Sequence, residues 1–120
     1  ICVVEDSKDI SALERAKSYK GIYHVLHGKI APLSGKSLDQ LNIQTLVERV
    51  DKNGVKEVIM ALNPDLEGET TSMYLTKLLK NFDIRISRIA SGIPMGGNLE
   101  YSDMATLIKS LEGRRDLKDE

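Results

Sequence analysis

The chain has 120 residues, a formal net charge of −1, 41% hydrophobic residues and 29% charged residues. This composition is typical of one soluble domain. The net charge is too small to attract nucleic acid by itself, so any DNA contact must come from local patches or from another part of the protein. The single cysteine, Cys2, excludes a disulfide framework and a cysteine zinc cluster within the chain.

The first predicted elements are a buried strand and an amphipathic helix. The strand is Ile1–Glu5; because the chain opens inside it without an initiator Met, we expect that an N-terminal part of a longer protein precedes it. Asp6 or Ser7 can cap the following helix, and Gly21 is expected to end it. The apolar positions of this helix recur at helical spacing: Ile10, Leu13 and Ala16.

The next segment continues the alternation of strand and helix. Ile22–Leu26 is predicted to be a second strand, and His27–Leu41 a loop that contains Gly and Pro. Asn42 can cap a second helix, which the pair Asn53 and Gly54 closes. The apolar face of this helix is expected to be Ile43, Leu46, Val47 and Val50.

The second half of the chain begins with a strand, Glu57–Leu62, and an acidic turn, Asn63–Glu69. A helix over Thr70–Lys80 and a fourth strand over Ile84–Ala90 follow. The inward face of that helix is predicted to be Met73, Tyr74, Leu78 and Leu79. Strands that alternate with helices favour right-handed crossovers, so the pattern predicts an α/β fold with a four-stranded, mostly parallel sheet flanked by helices.

The C-terminal part is predicted to form a loop, a helix and a charged tail. The loop Ser91–Asn98 is rich in Gly and Pro, Ser102 or Asp103 can cap the helix, and the tail is Gly113–Glu120. The apolar face of this helix is Met104, Leu107, Ile108 and Leu111. No apolar stretch is long enough to span a membrane and no signal peptide is visible, so we expect a cytoplasmic protein.

Acidic residues follow two of the predicted strands. Glu5 ends the first strand, and Asp65, Glu67 and Glu69 lie in the turn after the third. The carboxyl ends of parallel strands share one edge of a sheet, so Glu5 and Asp65 converge if their strands are neighbours. Clustered carboxylates suit Mg²⁺. An alternative is that the three carboxylates of the turn cap and charge the start of the next helix.

A family resemblance rests on these residues together with an ordered set of motifs. The motifs are Ile1–Glu5, Gly21–Gly28, Ala31–Leu33, Gly92–Gly97, Leu99–Tyr101 and Leu111–Arg115. With Glu5 and the Glu-Gly-Glu turn, they resemble the Toprim domain and C-terminal tail of the RecR family of bacterial recombination mediators. The topoisomerase version of this turn carries two Asp residues flanking the Pro. Here Asn63 replaces the first, which implies a non-catalytic protein.

The resemblance implies a division of the chain and a set of roles. Residues 1–90 would form a Rossmann-like Toprim domain, and residues 91–120 a loop, helix and tail for assembly into a homo-oligomer. The implied RecO-binding residues are Asp65, Glu67 and Glu69; the implied weak Mg²⁺ ligands are Glu5 and Asp65; and the implied oligomer contacts are Met104, Leu107, Ile108 and Leu111. No zinc ligands are expected in this chain, because the family places its zinc finger, with a helix-hairpin-helix segment, before this domain.

The resemblance also implies a place in DNA repair. Four subunits of the family form a clamp that binds DNA and works with RecO and RecF to load RecA on single-stranded DNA. Two rival functional classes fit the residues less well. A phosphate-accepting receiver domain needs an acceptor Asp at the end of its third strand, and this chain has none at that position. A catalytic Toprim nuclease, primase or topoisomerase fragment would need more carboxylates at this edge than the chain has. A topoisomerase would also need a tyrosine nucleophile, and we expect structural roles for the tyrosines of this chain: Tyr19, Tyr23, Tyr74 and Tyr101.

Overall fold

A computed structural model describes residues 1–28 and 42–119. Most of the predicted loop and the motif Ala31–Leu33 lie outside these residues. The chain divides into two compact units, Ile1–Arg88 and Ile89–Glu120. Among the described residues, no helix combines the length and the apolar character that crossing a membrane requires.

The first unit is an α/β domain. Its elements in chain order are β1 (Cys2–Val4), α1 (Ser7–Ala16), β2 (Tyr23–Val25), α2 (Ile43–Lys52), β3 (Glu57–Met60), α3 (Leu66–Leu79) and β4 (Arg85–Arg88). The four strands lie in the order β2-β1-β3-β4, and every pairing is parallel. The predicted α/β fold with a four-stranded sheet is therefore confirmed. The second unit contains α4 (Met104–Glu112) between two short 3-10 turns, Leu99–Tyr101 and Leu117–Asp119.

Two apolar layers hold the sheet between its helices. Alternate residues of a strand point to opposite faces. Val3 therefore packs with α2 and α3, in the larger core, while Cys2 and Val4 pack with α1 in the smaller one. The buried members of the larger core are Val3, Leu26, Ile43, Leu46, Val50, Val58, Met60, Leu62, Leu75 and Leu79. Cys2 is a buried structural thiol, and burial raises its pKa.

Two predictions at the ends of α1 and α2 were wrong. α1 ends at Ala16 rather than at Gly21, because Lys17 itself adopts the left-handed conformation with φ 56°. Gly21 lies instead against the ring of Tyr19, where an added Cβ would come within 2.2 Å of the hydroxyl oxygen. Asn42 precedes α2, but its side chain makes no capping bond and donates to the carbonyl of Val25. By contrast, Asp6 caps α1 as predicted.

The inward face of α3 also differs from its prediction. The helix begins at Leu66 rather than Thr70, because Asp65 caps it. Its buried residues are Gly68, Thr71, Leu75 and Leu79. The side chain of Met73, predicted to face inward, is 62% exposed, and Leu78 is also exposed. The apolar pattern did not predict the buried face of α3 correctly, because two of the four buried residues are Gly68 and Thr71.

A buried histidine joins β2 to α2. The Nε2 atom of His24 lies 2.6 Å from the carbonyl oxygen of Asn42, which can only accept, so Nε2 carries the proton and donates. The Nδ1 atom then accepts from the guanidinium of Arg49 at 2.9 Å, and the same Arg49 nitrogen donates to the carbonyl of Tyr23. Burial lowers the pKa of His24 most; its bond to Asn42 opposes this shift, and the charges of Arg49 and His27 add to it.

We expect this histidine to make the fold sensitive to acid. A histidine whose folded-state pKa lies below the unfolded value of 6.5 stabilises the fold fully above pH 6.5, and the contribution is lost as the pH falls toward the folded-state pKa. Urea unfolding should therefore show a free energy of unfolding that declines below pH 6.5, with a slope approaching about 1.4 kcal/mol per pH unit.

The control separates the two histidines of the chain. His24→Gln should flatten the decline, whereas His27→Asn should leave most of it, because the charge of His27 is the smallest of the causes that lower the pKa of His24 and asparagine tolerates the φ of 63° at this position. An undiminished decline in His24→Gln would show that another group is responsible.

Candidate functional site at the carboxyl edge of the sheet

The acidic residues meet at one edge of the sheet, as the sequence predicted for neighbouring strands. β1 and β3 are adjacent, with Val3 opposite Met60, so Glu5 and the turn that begins at Asn63 leave the sheet side by side. The side chain of Glu5 is buried, with the residue 7% exposed. Its Oε2 atom accepts the backbone N–H of Asn63 at 2.7 Å. Glu5 therefore links the ends of two parallel strands.

Asp65 serves the start of α3. Its Oδ1 atom accepts the backbone N–H of Gly68 at 2.7 Å, and its carbonyl accepts from the N–H of Glu69 at 2.9 Å. The side chain thus satisfies one of the N–H groups that a helix start leaves without an intrahelical partner. The capping interpretation describes Asp65 correctly.

Gly68 is required by a close approach of two backbone segments. An added Cβ would lie 2.0 Å from the carbonyl oxygen of Asn63 and 3.1 Å from the Oδ1 atom of Asp65. Gly68 is itself buried. The glycine lets the first turn of α3 pack against the turn that Glu5 holds.

The two remaining carboxylates differ in their surroundings. Glu67 is exposed. Glu69 is half-buried, and its Oε2 atom accepts from Nη1 of Arg88 on β4 at 2.6 Å. Sequence reasoning missed Arg88; a basic residue at the carboxyl end of the strand beside an acidic turn was the available signal. The acidic face, defined here as Asp65, Glu67 and Glu69, therefore contains a cation of its own.

The donor set does not form a metal cage. Within residues 1–28 and 42–119, no group of three or more His, Cys, Asp or Glu side chains is placed to hold a metal ion. Glu5 and Asp65 each direct one oxygen to a backbone N–H. Mg²⁺ at this edge would therefore rely mainly on its own waters.

The tyrosines weighed as nucleophiles have different roles. The hydroxyl of Tyr19 donates to the carbonyl of Ile22, and that of Tyr23 donates to Glu14 at 2.6 Å. The hydrogen bond to Glu14 raises the pKa of Tyr23 to about 12. These two side chains are structural, as predicted. Tyr101 is 81% exposed, so burial does not account for it, and its expected structural role stays a prediction.

The second unit presents an apolar helix face. Asp103 caps α4 by accepting the N–H of Thr106, and its hydrogen bonds to Thr106 lower the pKa of its carboxyl group. Three of the four predicted interface side chains on α4 are exposed, and Leu107 is half-buried. The exposed three are Met104, Ile108 and Leu111.

Two further segments of this unit, the Gly-rich loop and the start of the tail, contain residue types that can bind anions. The N–H of Gly97 donates to the carbonyl of Pro94 at 2.8 Å, which closes a tight turn within the Gly-rich segment. The guanidinium of Arg114 donates to the carbonyl of Leu111, at the end of α4. Both observations favour the structural interpretation of these segments.

Comparison with known proteins places the two units in one family. The model of the Toprim domain matches residues 1–90, and the model described as RecR, C-terminal, matches residues 92–115. The chain is 56% identical over 117 residues to Recombination protein RecR of Myxococcus xanthus (strain DK1622), covering 98% of this chain and 59% of that protein. It is equally identical over 117 residues to Recombination protein RecR of Acaryochloris marina (strain MBIC 11017), covering 58% of that protein.

Gly68→Ala tests the close approach at this edge. Alanine favours a helix interior over glycine by about 1 kcal/mol. Nevertheless, we expect the variant to lose about 2 kcal/mol or more of unfolding free energy, because its Cβ cannot coexist with the carbonyl of Asn63. Thr76→Ala, at an exposed position of the same helix, should change stability by less than about 0.5 kcal/mol. Equal stability of Gly68→Ala and the wild type in urea would contradict the packing described.

Proposed function

This chain belongs to the RecR family of recombination proteins, and from that premise we propose that it is a non-catalytic interaction module of recombinational DNA repair. Its acidic face would dock RecO, and its second unit would assemble a clamp that works with RecF and RecO to load RecA on single-stranded DNA. The chain spans 59% and 58% of the lengths of the two RecR relatives, so the activity and partners of a whole RecR protein are proposals for this chain.

The observation that carries the proposal is the position of Glu5. A general base or metal ligand must present its carboxylate to a substrate or a cation. Glu5 is buried, and one of its oxygens accepts the backbone N–H of Asn63. Asn63 itself stands where the topoisomerase version of this turn has an Asp. One charge of the usual set is therefore absent, and another has a structural partner. This arrangement supports a scaffold better than phosphoryl transfer.

The acidic face suits a basic protein surface. Glu67 is exposed on the first turn of α3, and Glu69 lies one residue beyond Gly68. Exposed charges of one sign steer encounter and set the register of a complex. Arg88 holds one oxygen of Glu69, so a basic partner would share that carboxylate or displace Arg88. We also propose that Mg²⁺ binds only weakly near Glu5 and Asp65, since few ligands converge there.

The apolar face of α4 supports assembly. An exposed apolar stripe on a helix is typical of a protein–protein contact. The net charge of −1 gives this chain little attraction for phosphates, so DNA would be bound through the assembled full-length protein.

Removal of two carboxylates tests RecO docking. Glu67→Ala combined with Glu69→Ala should weaken RecO binding by about 2 kcal/mol or more in calorimetric titration, because it removes the charges that a basic surface would meet. The same change should cost about 1 kcal/mol or less in stability.

The control removes the same charge elsewhere. Glu48→Ala combined with Asp51→Ala, at exposed positions on α2, should leave RecO affinity unchanged. Unchanged affinity in the Glu67 and Glu69 variant, with its fold intact, would eliminate the docking site and leave these carboxylates as charges at a helix start.

Assembly is tested on α4. Ile108→Asp combined with Leu111→Asp should lower the mass found by light scattering to that of a monomer, because the charges would be buried in the contact. Lys109→Asp, on the same helix, changes the net charge by the same two units and should leave the mass unchanged. A wild-type chain that is monomeric throughout the accessible concentration range would refute assembly through this face.

A further inference from the structure

A groove lies between α3 and β4, on the first unit. Its volume is about 430 Å³, and its lining includes Met60, Met73, Thr76, Lys77, Ile86 and Arg88. Met60 is buried at its floor and Ile86 is half-buried, whereas the side chain of Met73 is 62% exposed at its wall. The groove therefore combines an accessible apolar surface with two basic side chains.

The same groove follows the open edge of the sheet. β4 pairs with β3 alone among the described strands. The N–H of Arg85 donates to the carbonyl of Lys56, so the backbone of Arg85 faces β3. Successive residues of a strand direct their backbone groups to opposite sides, so those of Ile86 and Arg88 point to the open edge. Such an edge is a template for another strand.

The side chains of these edge residues face the groove. Ile86 lies opposite Val58, and Arg88 lies opposite Met60, in the parallel register of β3 and β4. Val58 and Met60 belong to the core that packs against α3. Ile86 and Arg88 therefore offer open backbone groups and groove-lining side chains together. A strand added here would place alternate side chains against Ile86 and Met73.

The charges of the edge select what can pair with it. Lys77 and Arg88 line the groove, where Arg88 also donates to Glu69. The Arg85 side chain, 77% exposed, lies on the opposite face of the strand. Arg85 approaches Glu57 only to 3.9 Å. Basic side chains on an edge strand oppose pairing with neutral or basic strands. A strand that carries carboxylates would remove this opposition.

We propose that the groove and the open edge of β4 form a docking site for an extended acidic segment of a partner protein, which adds to the sheet as a further strand. One apolar side chain of the segment contacts Ile86 and Met73. A carboxylate two residues later meets Lys77 and shares Arg88 with Glu69. A carboxylate between them lies beside Ser87 on the other face, where the long side chain of Arg85 reaches it diagonally. The main chain supplies affinity, while the groove and the charges supply specificity. This site adjoins the acidic face at the ion pair of Arg88 with Glu69, but the acidic face suits a basic partner and the groove an acidic one.

A designed peptide tests the proposal on the chain itself. The probe is fluorescein-labelled Thr-Val-Thr-Ile-Glu-Glu-Thr, and the control peptide replaces both Glu with Lys. Nitrogen-15 correlation spectra should show saturable shifts confined to β4 and the exposed side of α3 with the acidic peptide only. Fluorescence anisotropy should show that Met73→Glu weakens binding by about tenfold or more, by repelling the acidic strand.

The control variant makes the same substitution at a residue that does not line the groove. Met95→Glu, at a residue of the second unit whose relative exposure is 102%, should change the affinity by less than about twofold. Absence of saturable binding, equal binding of the lysine peptide, or equal affinity of Met73→Glu and the wild type overturns the proposal. Two results without peptide would also overturn it. Shifts at β4 that depend on protein concentration would show that a second copy of the chain occupies the groove. Overhauser contacts between Met73 and residues 89–119 would show that the chain's own second unit does.

Discussion

The hydrogen bond between the buried carboxylate of Glu5 and the backbone N–H of Asn63 sets the geometry of the functional edge. It joins the ends of two neighbouring parallel strands, where both chains turn away from the sheet. Because Glu5 is buried, loss of a hydrogen bond to its carboxylate would cost about 1–3 kcal/mol. Because the turn is held, Asp65 can cap α3 and Gly68 can pack against the carbonyl of Asn63.

This constraint divides the acidic residues by role. Glu5 points into the protein and supports it, Asp65 completes a helix, and Glu67 and Glu69 lie on the outer turn. A set of carboxylates that would suggest metal chemistry if all converged on one point is here spread between structure and surface. Arg88 adds a further link, because it ties the acidic face to the edge strand β4. The two proposed docking sites therefore have opposite charges and meet at one ion pair.

Short sequence patterns predicted the features that depend on neighbouring residues and on the rules of parallel sheets. The alternation of strands and helices, the cap at Asp6 and the shared edge of Glu5 and Asp65 follow from short patterns and from the rules of parallel sheets. The pairing of Arg88 with Glu69 could not be predicted, because it depends on how β4 lies beside β3 and α3. Likewise, the inward face of α3 includes Gly68 and Thr71, which close packing selects and hydrophobic counting ignores.

The central claim is that Glu5 holds the turn and performs no chemistry. The most direct measurement is nicking of supercoiled plasmid by this chain, with Mg²⁺ and with Mn²⁺, compared between the wild type and Glu5→Gln. Glutamine retains an oxygen that can accept the N–H of Asn63, so the fold should persist while any metal-dependent catalysis would be lost. The account predicts no nicking above the buffer background by either protein. Metal-dependent nicking by the wild type that disappears in Glu5→Gln would contradict it.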